Sequence, residues 1–226
     1  MSGGIEANAQ QQAEGKARAD KEAQSKKAFE DAVRVILTTF GVFTGFAIKS
    51  AIDEIEFPDS SSMTAIFQIL TNFHVFICLA TVALLLRFII GSAVHLNLCY
   101  VTEPRSKMPV MLFKDVSFLI VFGLIAVSMI DAKDVGGFAT RAAWFIIVGI
   151  LWSALDWLVR SKLGSGERSL ASGWWVAIDI GQLVLTWVVF QVTGEALWRS
   201  IALAIIFAVA LYLDMRAVLL PRSAKS

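Results

Sequence analysis

The chain has 226 residues, 57% of them hydrophobic and 17% charged, with a formal net charge of +1 and a mean hydropathy of +0.68. This composition excludes a disordered chain, a disulfide-rich secreted scaffold and a basic nucleic-acid binder. The apolar residues gather into six blocks of bilayer-spanning length, so the expected fold class is an all-α integral membrane protein, a bundle of six transmembrane helices in a lipid bilayer.

Residues 1–30 form a polar N-terminal tail, with five basic and four acidic side chains among the Ala, Gln and Gly of residues 1–27. It lacks the apolar core of a signal peptide and the periodicity needed to bury a face, so it reads either as a disordered tail or as a helical extension of the first span. The transmembrane domain covers residues 31–220. Its first span, 34–52, is entered through Asp31 and Arg34 and ends at an acidic linker containing Pro58. The second, 64–87, is followed by a looser apolar pattern through Gly91 to Val101. One helix of that whole extent would be about 57 Å long, beyond the hydrocarbon thickness, and must protrude, kink at Gly91 or bend along the interface. Pro104 and Pro109 break the chain before a third span at 110–130, and a Gly136-Gly137 turn precedes the fourth at 142–159. A Gly-rich loop leads to the fifth span, 174–193, and the sixth, 197–220, leaves a short tail at 221–226.

An alternating six-span path puts 16 of the 20 Lys and Arg on the side of the N-terminus. The positive-inside rule then places both termini in the cytosol, with the plasma or bacterial inner membrane as the expected location. Charges near the spans fall in one layer toward that side, early in odd-numbered spans and late in even-numbered ones. Arg87, Asp115, Asp156, Arg160 and Asp214, together with Asp179, are its candidate members. Either these residues snorkel to lipid phosphates and cap helix ends, or the aspartates face inward and form a vestibule or ion-pair switch around the arginines. A layer on one side only argues against an inverted repeat, which would mirror it onto the opposite leaflet.

Two polar stripes run deeper. Asp179, Gln182 and Thr186 share one face of the fifth span at i, i+3, i+7, and such a stripe is stable in hydrocarbon only against protein or water. On the second span Thr71, His74, Cys78 and Thr81 follow helical spacing, with Gln68 and Asn72 on an adjoining face. From a start at Thr64, His74 falls about 15 Å into the membrane. There it is either a neutral, hydrogen-bonded histidine or a proton relay. His74, Asp179, Gln182 and Thr186 are thus the candidate polar path, with interhelical hydrogen bonding as its structural alternative. Gly41 and Gly45 form a G-x-x-x-G on the first span, which permits close helix contact within one subunit or in a homo-oligomer.

Cys78 and Cys99 read as small buried hydrophobes rather than a disulfide or metal pair. No filter, P-loop, zinc-protease or nucleophile-elbow motif is present, and no cofactor is implied. The one local pairing with catalytic chemistry is His74 with Cys78, and it has no adjoining carboxylate, so an enzyme is not expected. Two functions remain. The first is a channel or small transporter with a polar path for protons or cations. The second is a non-catalytic membrane subunit or signalling component that meets a cytosolic partner through the N-terminal tail.

Overall fold

The computed structural model describes residues 3–53, 55, 71–102, 108–130, 132, 134–162 and 170–219. Among them the chain forms α1 (Gly3–Asp53), α2 (Phe73–Leu96), a π-helical turn (Asn97–Thr102), α3 (Met108–Ile130), α4 (Val135–Lys162), α5 (Leu170–Val192) and α6 (Ala196–Leu219). All six α-helices are long and apolar enough to span a membrane. The polar tail and the first span are one continuous helix of 51 residues, about 77 Å at 1.5 Å per residue.

The second helix is displaced along the chain from its expected place at 64–87. Asn72 is extended (φ −80°, ψ 115°), and its side-chain oxygen accepts the His74 backbone N–H at 2.9 Å, which caps a helix beginning at Phe73. The helix then passes Arg87 and Gly91 without a break and reaches Leu96. Arg87 does not end the helix: carboxylates from two other helices meet it inside the protein. Gly91 makes no kink, and a Cβ there would lie in ordinary contact, 4.0 Å from the Trp175 ring. Gln68 lies outside the described residues.

The central helix is α2, with 44% of its spanning window buried against 17% for α5. It packs most extensively on α6 and also meets α1 and α4, while α3 bridges α1 with α4 and α5 bridges α4 with α6. Buried Ala80 and Ala83 on α2, and Ala204 and Ala210 on α6, keep both surfaces flat enough for close approach. Toward the other helices α2 presents Phe88. Its ring centroid lies 5.1 Å from Phe40 of α1, 3.9 Å from Phe122 of α3 and 5.2 Å from Phe145 of α4. Dispersion between such rings holds helices that the surrounding lipid would solvate equally well.

The side of the bundle that received few basic residues uses those it has locally. Lys49 pairs with Asp53, Arg141 donates to the Ser128 carbonyl near the end of α3, and Arg199 donates to the Thr193 carbonyl at 2.7 Å while lying over the Phe190 ring. The arginines thereby satisfy carbonyls that helix ends leave without intrahelical donors. Gly41 and Gly45 are exposed on α1, and among the described residues no side chain or neighbouring helix lies within 4 Å of where a Cβ would stand.

Phe122→Ala, which empties a fully buried site at the aromatic junction, is expected to cost about 3–5 kcal/mol. Phe113→Ala, at a residue 75% exposed on the same helix, is expected to leave stability nearly unchanged. Thermal unfolding of the two purified variants in detergent checks the contrast.

Candidate functional site: a buried charge cluster bordering one cavity

Arg87 projects from α2 at 7% exposure, a position that a guanidinium tolerates only when its donors are met. Its Nε donates to Asp214 Oδ2 of α6 at 2.5 Å and its Nη1 to Asp179 Oδ1 of α5 at 2.5 Å, with Gln182 Oε1 as a further acceptor for Nη1. The rigid fork of the guanidinium suits this use, because one side chain can engage two carboxylates approaching from different helices. Asp179 and Asp214 are buried to 8% and 3% exposure.

A second group surrounds Asp115 of α3, which is fully buried. One carboxylate oxygen accepts the Trp152 indole N–H at 2.7 Å and the Lys114 ammonium at 3.0 Å. The other accepts the Tyr100 hydroxyl at 2.6 Å and faces His95 Nε2 at 3.4 Å. Lys114 also reaches Asp156 Oδ1 at 3.1 Å, and His95 Nε2 stands 3.9 Å from the same oxygen. Tyr100 lies on the π-helical turn beyond the span. Burial, and after it the Asp115 negative charge, pushes its phenol above the ordinary range, so the hydroxyl stays protonated and donates.

The two groups border one cavity of about 80 Å³. Arg87, Asp179 and Asp214 line it together with His95 and Asp156, and aromatic rings supply much of the remaining wall. Gly149 is part of that wall for a steric reason: a Cβ there would lie 3.3 Å from Asp179 Oδ2, so the missing side chain gives the carboxylate its place. With every carboxylate ionised, Arg87 stands against Asp179 and Asp214, and Lys114 stands against Asp115 and Asp156. Among the described residues the Arg87 group carries one negative charge in excess. Asp214 Oδ1, Gln182 Nε2 and Thr186 Oγ1 are buried polar atoms with no hydrogen-bond partner among the described residues.

The structure thus brings together Arg87, Asp179, Gln182 and Asp214 in one group and Asp115 with Asp156 in the other. Thr186 is buried on the same face of α5 as Asp179 and Gln182. His74 is elsewhere. As the second residue of α2 it lies about 20 Å along the helix from Arg87, half-buried, with its ring centroid 4.0 Å from that of Phe73. The side chain of Arg160 is outside the described ones, and Asp31 and Arg34 are exposed on α1. His95, Trp152 and Tyr100 join the site although their types and positions singled out none of them. Two spacings carry a signal for them: His95 follows Arg87 by eight residues, and Trp152 precedes Asp156 by four, which places each on its partner's side of a helix.

Arg87→Met leaves Asp179 and Asp214 buried without their cation and is expected to destabilise the protein by about 3–5 kcal/mol, with Asp214→Asn costing less. The Arg87→Met/Asp179→Asn/Asp214→Asn triple variant, with no charge left in that group, is expected to regain a large part of the loss. Melting in detergent reads the series, and strict additivity would show that these residues do not act as one unit. No family model, curated protein or solved structure matches the chain, so its functional reading starts from these side chains.

Proposed function

We propose that this protein moves protons or small cations across a membrane, with the cavity beside Arg87 as its transit site and both termini in the cytosol. The observation that carries the reading is one small cavity bordered by both charge groups where, among the described residues, two buried carboxylates share the single Arg87 cation. Burying ions costs several kcal/mol each even when they are paired, and apolar replacements of buried ion pairs are often neutral or stabilising. A bundle built for stability alone gains nothing from an excess negative charge beside Arg87. A site that takes up a proton or cation does, because the arriving charge completes the balance.

The same geometry supplies a response to occupancy. A cation or proton on Asp214 competes with Arg87 for that carboxylate and weakens the pairing across α2 and α6, the most extensive helix contact in the bundle. Loading is thereby tied to helix packing, as a carrier requires. His95, facing Asp115 and Asp156 at the cavity wall, is placed to exchange a proton with the site. The orientation is supported by the 16 of 20 basic residues assigned to the N-terminal side.

A second reading has its own observation, the exposed polar residues 14–28 of α1, which suit a membrane subunit docking a cytosolic protein. Deleting residues 2–27 would then abolish co-purification of a specific partner without affecting insertion.

The test of the first reading is flux of protons and monovalent cations through purified protein in liposomes between about pH 5.5 and 8, which brackets histidine titration. Asp179→Asn and Asp214→Asn are each expected to lower flux by about tenfold, the equivalent of 1.4 kcal/mol, without changing expression or oligomeric size. Wild-type vesicles that stay tight to every ion would end the permeation reading.

A further inference from the structure

The cavity wall combines two chemistries. Aromatic side chains enter it from four helices, Phe88 from α2, Phe122 from α3, Phe145 and Trp152 from α4, and Trp175 from α5. Asp156, Asp179 and Asp214 supply its negative charge. Few carboxylate oxygens are left for a bare metal cation: Asp179 Oδ1 and Asp214 Oδ2 accept from Arg87, Asp156 Oδ1 accepts from Lys114, and both oxygens of Asp115 are engaged. Among the described residues no three His, Cys, Asp or Glu side chains are arranged to hold a metal ion. A hard cation asks for six or more oxygen ligands, and this wall does not offer them.

An organic ammonium asks for something different. It needs one carboxylate for its charge and π-faces for its alkyl groups. Asp214 lines the cavity and has a carboxylate oxygen to spare: Oδ1 has no hydrogen-bond partner among the described residues, and it meets a ligand once the carboxylate turns from its closed-off position toward the cavity. An anion would meet three carboxylates beside His95 and an Arg87 already held by two of those carboxylates, and a neutral solute would leave the excess negative charge around Arg87 uncompensated. Gly91 and Gly149 contribute room at the same wall, where added Cβ atoms would approach Trp175 and Asp179. The volume of about 80 Å³ holds several waters or one small solute.

We infer that the cavity is a binding site for a small organic ammonium ion, with its charge against Asp214 and its alkyl groups against the rings of Phe88, Trp152 and Trp175. The inference rests on the reading of this cavity as a cation site and names the class of cation.

The experiment uses the purified full-length protein in two assays. Calorimetric titrations with tetramethylammonium, propylammonium, potassium and the neutral tert-butanol measure binding, and the liposome assay measures whether the ammonium ions inhibit cation flux. Saturable binding of an ammonium but not of tert-butanol is expected, weakened about tenfold by Asp214→Asn and by Trp175→Leu, a loss of about 1.4 kcal/mol in each case. Trp175→Leu keeps every charge of the site, so its effect is read even if Asp214→Asn folds poorly. Cation flux with no ammonium binding or competition overturns the inference and leaves the permeation reading standing. Ammonium binding that neither substitution weakens overturns it by placing the ligand elsewhere. Binding as expected in vesicles without flux upholds the site and overturns permeation, and neither binding nor flux ends both.

Discussion

One guanidinium inside the bundle sets much of what surrounds it. Arg87 lies within a helix of predominantly apolar character, and in hydrocarbon its charge is tolerable only with partners supplied by the protein. Asp179 and Asp214 supply them from two further helices, which ties α5 to α2 through one ion pair and adds a second to the packed contact of α2 with α6. The next residue in the chain does the complementary work. Phe88, turned about 100° around the helix axis, gathers α1, α3 and α4 through ring contacts. Two successive side chains on one helix therefore hold the other five, one by charge and one by dispersion.

The polar interior is costly for a stable bundle. Asp115, with four groups around one carboxylate, shows what a settled buried charge looks like. Asp214 differs, since one of its oxygens is held by Arg87 while the other is buried and unpartnered among the described residues. The first arrangement fixes a structure, and the second leaves an interaction available. Asp214 lines the cavity and Asp115 lies behind its wall, joined to it through His95 and Trp152.

Helix number and the polar face of α5 were legible in the sequence, because both rest on local regularities. Apolar blocks of spanning length report helices, and the spacing of Asp179, Gln182 and Thr186 reports a shared face whose burial follows from the cost of exposing it to lipid. That Arg87, Asp156, Asp179 and Asp214 lie toward one end of the bundle was readable from their alternating early and late positions. Pairing was not, because hydropathy says nothing about the rotation of one helix relative to another. The ends of α2 were hidden for a related reason: a charge reads as the edge of a span unless its partners are known, so Arg87 closed a helix that in fact runs on to Leu96. With that edge misplaced, His95 looked peripheral and His74 looked deep, whereas His95 stands at the charge cluster and His74 in the first turn.

The separation in sequence between Arg87 and its acceptors also orders the birth of the protein. Asp179 follows Arg87 by 92 residues and Asp214 by 127, so at ordinary rates of synthesis the arginine precedes its carboxylates by roughly 5 to 25 s. During that interval α2 meets the bilayer with an unpaired cation in its later half, and its retention there depends on snorkelling or on shelter by the insertion machinery. The docking of α5 and α6 ends this exposure. A chain truncated before α5 would carry the arginine without either of the aspartates that hold it.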